Sequence, residues 1–282
     1  MQITKRQNII ISNTKTRDFL ADAYYPETNE KLPLIIFVHG YKGYKDWGAW
    51  NLVAEKFAEA GFFFVKFNFS HNGTTIEDPK KFADLEAFGN NNYSKELSDL
   101  NVVIDHFIKH EKVDDQKIVL IGHSRGGGIS IIKTCEDIRI NGLITLASVD
   151  TLDRFPKNNA FENWKKEGVY YVENRRTKQQ MPHYYQFFED FKNDEHRFDV
   201  ERSMEMAKAH VLIIHGTNDE SVSVKNAEHL HILNPNSELY LIENANHTFG
   251  AKQPWEENNL SGDLNEVIEK SIEFINNKIV NE

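Results

Sequence analysis

The stretch LIGHSRGGG, residues 120–128, begins within the apolar run KIVLI (117–121) and sets four glycines around one serine. Within it Gly122-His123-Ser124-Arg125-Gly126 fits G-x-S-x-G, and the pattern gains meaning from standing between a buried strand and a helix. A sharp strand-to-helix turn forces the serine into strained backbone angles, and small residues two positions either side let strand and helix approach. The Ser124 hydroxyl is then predicted to project from the carboxyl edge of a sheet, beside a helix N-terminus whose free N–H groups favour negative charge. No lysine follows a glycine in the run, so the phosphate-cradling G-x-x-x-x-G-K-[ST] pattern is absent.

Outward from this turn the chain alternates two kinds of segment. Short apolar runs at 32–40, 62–69, 117–124, 141–148, 210–216 and 238–245 are continuous rather than alternating, as strands covered on both faces are. Between them, 47–60, 93–110, 125–137, 224–233 and 263–279 repeat apolar residues every three or four positions, as helices do. This predicts an α/β fold: a mostly parallel, doubly wound sheet with right-handed crossovers and helices on both faces. Residues 8–13 and 18–25 read as an antiparallel hairpin at one edge. From about 151 to 205 the rhythm breaks, and 11 of the chain's 33 Phe, Trp and Tyr crowd together without a convincing strand. That stretch is expected to be a mostly helical lid inserted into a single domain spanning 1–282.

The 282 residues, 40% of them hydrophobic, can bury a sizeable core, and the 33 basic against 43 acidic residues leave a net charge of −10. Such a balance provides no global basic field for nucleic acid or anionic membranes, so neither is expected as a partner. The first apolar run is only three residues long and no later one approaches 18, which predicts a cytoplasmic protein. Cys135 is the single cysteine, so neither an intrachain disulfide nor a thiolate cluster can form.

A serine hydroxyl needs a base, and the base a carboxylate to orient it. Of the 12 histidines, His247 in ENANHTFG stands in a loop after the last predicted strand and before the final helix, free to lean over the strand edge. His39, His123 and His215 sit at strand ends and are expected to support loops through hydrogen bonds. His106 and His110 have i, i+4 spacing but lack a third metal ligand, and read as a solvated helix face. For the carboxylate, HGTNDESV places Asp219 in the loop after the 210–216 strand, with Glu220 and Asp150 as alternatives. The oxyanion donors are expected to be the backbone N–H groups of Arg125 and of Tyr41, the latter in the loop HGYKGYKDWG.

With FVHGYKG, GHSRGG, HGTNDESV and NANHTFG in that order along nearly the whole chain, the sequence resembles an α/β-hydrolase. Within that superfamily it resembles the branch of small esterases near dienelactone hydrolases, prolyl-oligopeptidase catalytic domains and cinnamoyl or feruloyl esterases. It departs from dienelactone hydrolases in carrying Ser124 where they use cysteine, and it has no room for a propeller. The resemblance implies a serine carboxylesterase with catalytic Ser124, Asp219 and His247, acting on a small or aromatic acyl ester. A peptidase, a thioesterase and a non-catalytic binding protein of the same fold are the alternatives. Neither cofactor nor metal is implied, the expected partner is a small-molecule ester, and a homodimer is left open. The aromatic pairs Tyr170-Tyr171, Tyr184-Tyr185 and Phe187-Phe188 either line an apolar substrate pocket or pack the insertion onto the sheet, and Trp47 and Trp50 carry the same two readings.

Overall fold

Unbroken apolar runs become strands whose two faces both meet helices. In the computed structural model, which describes residues 2–281, β3 (Leu32–Val38) and β5 (Val113–His123) lie side by side in parallel. Leu34, Ile36, Val38, Ile118 and Leu120 join one core, while Ile35, Phe37, Val119 and Ile121 join another across the sheet. Side chains of successive residues point to opposite faces, so both faces of these strands are apolar and neither reaches water.

The remaining main-sheet strands are β1 (Ile3–Ile11), β2 (Phe19–Pro26), β4 (Phe63–Phe67), β6 (Ile140–Leu146), β9 (His210–Gly216) and β10 (Glu238–Ile242). The sheet runs β1-β2-β4-β3-β5-β6-β9-β10. Only β1 and β2 pair antiparallel to their neighbours, forming the edge hairpin expected from the sequence. One core packs under α1 (Trp50–Glu59) and α9 (Gly262–Ile275), through Val53, Phe57, Leu264 and Val267. The other packs under α3 (Tyr93–Phe107), α4 (Arg125–Glu136) and α8 (Val224–Leu233), through Leu100, Ile104, Ile132 and Leu230. A short helix α2 (Leu85–Gly89), capped by Asp84, precedes α3.

The order β4-β3-β5 marks where the chain reverses its direction of winding. From β3 it steps to one side, through α1 to β4, and then crosses to the other side to lay down β5. Loops leaving adjacent strands at such a switch point diverge and open a crevice beyond the carboxyl ends. The loop after β3 and the turn after β5, which carries Ser124, both stand there.

Residues 151–205 correct the expectation of a stretch without strands. Besides α5 (Asn159–Glu167), α6 (Gln186–Asn193) and α7 (Val200–Met206), it holds an antiparallel pair, β7 (Val169–Glu173) with β8 (Gln180–Tyr184). The signal was present in Val169-Tyr-Tyr-Val172, a β-branched and aromatic run, but Pro182 in the partner strand and the charged turn between masked it. The aromatics mostly pack on one another. Phe155 stacks on Trp164 with centroids 5.8 Å apart, Phe161 meets Phe188 edge-on at 4.7 Å, and Tyr93 of α3 meets Phe187 at 4.7 Å. The packing reading therefore holds for Phe187 and Phe188, while Tyr171 is exposed.

Candidate active site

Ser124 has φ 56° and ψ −121°, a left-handed conformation that a serine adopts only under constraint. The constraint is steric. A Cβ on Gly126 would stand 2.2 Å from the Val38 carbonyl oxygen, one on Gly127 2.2 Å from Ser148 Oγ, and one on Gly122 2.5 Å from the Gly126 carbonyl. Gly128 is less tight, with its nearest neighbour, Val149, at 3.1 Å. The first turn of α4 is thus pressed onto the ends of β3, β5 and β6. The Ser124 N–H donates to the Leu146 carbonyl (2.9 Å), which fixes the strained residue between two strands.

Three distant loops meet at this turn. His247 Nε2 lies 3.0 Å from Ser124 Oγ, and His247 Nδ1 lies 2.7 Å from Asp219 Oδ2. The Asp219 side chain is wholly buried, yet its other oxygen accepts the backbone N–H groups of Ser221 (2.8 Å) and Val222 (2.9 Å). Burial alone would raise its pKa, but hydrogen bonds from His215, His247 and the Val222 N–H hold it well below the usual carboxylate range. Glu220 is exposed, and Asp150 is engaged elsewhere, by Asn226 and by His229 at 3.0 Å.

The other strand-end histidines buttress these loops through main-chain groups. His123 Nε2 donates to the His247 carbonyl (2.9 Å), His215 Nε2 to the Val222 carbonyl (2.9 Å), and His39 Nδ1 to the Gly40 carbonyl (2.9 Å). His215 Nε2 also lies 3.2 Å from Asp219 Oδ2, which places a second imidazole on the carboxylate. On α3, His110 departs from the expected solvated face: it packs on Tyr25 and Phe63 at 5.4 and 4.8 Å. Among the described residues no group of three or more His, Cys, Asp and Glu side chains could hold a metal ion.

Gly40 brings the loop after β3 against the serine, since a Cβ there would stand 2.9 Å from Ser124 Cβ. The next residue, Tyr41, therefore stands beside Ser124, as Arg125 does by sequence. The sequence reading gave weight only to their backbone positions, yet both side chains are also engaged. Tyr41 Oη hydrogen-bonds His183 Nε2 (2.7 Å), a residue of the insertion that no sequence signal singled out. Arg125 lies over the Tyr41 ring at 5.1 Å and reaches buried Glu96 at 2.5 Å. These contacts tie the loop after β3 to both α3 and the insertion.

Three buried histidines near the serine predict a loss of stability in acid. Burial foremost lowers His39 from 6.5 to about 4, and His123 and His183 from 6.5 to about 3. The His39 bonds agree: its Nε2 accepts the Phe69 N–H (3.3 Å), which it cannot do when protonated. Between these values the unfolded chain binds more protons than the folded one, so stability rises with pH. It is fully present above pH 6.5 and is lost as pH falls toward 4. Three such groups give a limiting slope of about 4 kcal/mol per pH unit in mid-window. Denaturant midpoints measured across that window should show a steep loss before the carboxylates titrate, and a flat profile there would contradict neutral burial.

A cavity of about 650 Å³ opens on Ser124 and His247, and Trp47 and Trp50 line it. Of the two readings for these tryptophans, the cavity wall thus applies to both, although Trp50 also packs on Phe37 with centroids 4.6 Å apart. No helix among the described residues is long and apolar enough to cross a membrane.

Residues 33–167, just under half of the chain, match the family model of the alpha/beta hydrolase fold. Over 174 residues the chain is 29% identical to the uncharacterized protein YcjY of Escherichia coli K12, the match covering 59% of this chain and 53% of that one. Over 122 residues it is 25% identical to the quorum-quenching protein AidA of Acinetobacter baumannii, covering 43% and 37%. These matches span only about a third to a half of the length of the curated relatives. Among solved structures, that of Est1E from Butyrivibrio proteoclasticus with ferulic acid bound is similar with a TM-score of 0.76. That match covers 96% of this chain and 99% of Est1E at 22% identity. The eight-stranded, mostly parallel sheet with helices on both faces is the α/β-hydrolase fold.

Proposed function

We propose, on the premise of the α/β-hydrolase fold, that this chain is a serine hydrolase that cleaves carboxylic esters through an acyl-enzyme. The observation that carries the reading is the relay Ser124 Oγ to His247 Nε2 (3.0 Å) and His247 Nδ1 to Asp219 (2.7 Å), built on a strained serine. His247 takes the Ser124 proton as the oxygen attacks the ester carbonyl. The backbone N–H groups of Tyr41 and Arg125 receive the developing oxyanion, each contributing roughly 3 kcal/mol to lowering the barrier. Asp219 holds the tautomer in which Nδ1 carries the proton, and stabilises the imidazolium. His247 then returns the proton to the leaving alcohol, and activates a water that attacks the acyl carbonyl and releases the acid.

The ferulic acid bound to Est1E supports an ester whose acyl part is aromatic and leaves as the free acid, which the tryptophan-lined cavity suits. A fluorophosphonate probe tests the reading. Peptide mass spectrometry should find the phosphonyl group on Ser124, with parallel loss of 4-nitrophenyl butanoate hydrolysis. An unlabelled Ser124 in folded protein would favour a binding protein built on the same fold.

A further inference from the structure

The cavity beside Ser124 is lined by three cations contributed by two distant segments, Lys42 of the loop after β3 and Arg175 and Arg176 of the β7–β8 turn. Among the described residues none of the three has a carboxylate within ion-pairing distance, although the chain carries ten more acidic than basic residues. The one carboxylate that also lines the cavity, Glu173, is paired with Lys178 at 3.3 Å. Uncompensated like charges in a cleft raise each other's cost and focus a positive field on whatever enters.

The three are presented by built features rather than by loose loops. Lys42 sits in left-handed backbone at φ 55°, a strain that a non-glycine residue keeps only where its surroundings impose it. Its Nζ lies over the Tyr41 ring, 4.9 Å from the centroid. Burial, and then the charge of Arg175, hold its ammonium below the usual lysine range, and both side chains line the same cavity. The arginine turn is fixed by buried Asn174, whose N–H donates to the Gln179 carbonyl (2.8 Å) and whose Oδ1 accepts the Arg176 N–H (3.2 Å). Gln179 Nε2 in turn donates to the Phe82 carbonyl (2.9 Å), which anchors the turn to the main domain.

We propose that the ester substrate carries an oxyanion group, of the carboxylate kind, remote from the scissile bond, and that Lys42, Arg175 and Arg176 hold it while Trp47 and Trp50 flank the part between. Guanidinium pairs suit this because each presents a planar fork to two oxygens. The inference rests on the serine-hydrolase reading and gives it a substrate class.

The experiment compares matched esters on the intact chain. 4-Carboxyphenyl butanoate is set against neutral 4-carbamoylphenyl butanoate, and the 4-nitrophenyl monoester of adipic acid against 4-nitrophenyl hexanoate, which places the charge on either side of the bond. In at least one pair the charged ester should have the higher kcat/KM, and added salt should erode that preference. Arg175→Gln/Arg176→Gln should lower the charged-to-neutral ratio roughly tenfold, the loss of two partly solvated ionic contacts. Comparing ratios between wild type and variant cancels the esters' intrinsic reactivity. Turnover of neutral esters with no charged preference, or a ratio that the double variant leaves unchanged, overturns this inference alone. No turnover of any ester overturns it together with the serine-hydrolase reading.

Discussion

Ser124→Ala should lower ester hydrolysis by roughly five to six orders of magnitude in kcat while leaving the fold in place. The size follows from covalent catalysis. Without Oγ no acyl-enzyme forms, and only binding and the two backbone donors remain to favour attack by water, a residual of about a thousandfold over the uncatalysed rate. The fold survives because neither the strain at φ 56° nor the glycine contacts that impose it involve the hydroxyl. What is lost structurally is one hydrogen bond to His247, and that imidazole keeps Asp219 and its carbonyl's bond to His123. The measurement is single-turnover hydrolysis of an activated ester, with a denaturant curve beside it. A variant within tenfold of wild type would remove Ser124 from the chemistry, whatever its geometry.

How far the sequence could be read depended on whether a residue's surroundings were local. Gly122, Gly126 and Gly127 announce close approach by themselves, so the strained turn was legible from five letters. His247 and Asp219 were legible because each follows a strand marked by an apolar run, and carboxyl-end loops of a parallel sheet converge without any knowledge of side-chain packing. His183 was not, because its bond to Tyr41 spans 142 positions and the insertion has no periodicity to aim it. Lys42 and Arg175 were missed for the same reason: a lysine in a loop and an arginine in a turn read as solvated surface until the hairpin sets them around one cavity. The hairpin was itself obscured, since a two-stranded sheet with exposed residues produces neither a continuous apolar run nor a clean alternation.

The least legible element is a closed ring of four charges. Lys45 and Lys66 each bridge Asp22 and Asp46, with contacts of 2.5–2.8 Å, and all four side chains are at most 4% exposed. Composition assigns such residues to the surface, and only the tertiary structure brings β2, β4 and the loop after β3 together over them. The ring is neutral, so its members are tolerated together and not singly. Lys66→Met should therefore cost about 3–5 kcal/mol, because it strands one of two buried carboxylates. It should also slow ester hydrolysis, since Lys45 and Asp46 belong to the same loop as Tyr41, and Lys45 N–H is held by Asn68 Oδ1 at 2.7 Å. Lys66→Met/Asp46→Asn restores the balance by leaving Lys45 with Asp22, whose Oδ1 still accepts the Asn8 N–H at 2.8 Å. The double variant should thus be more stable than the single one, a non-additivity that denaturant unfolding measures directly. If the second substitution instead adds its own loss to the first, the four groups act as separate pairs and charge balance is not what holds the loop.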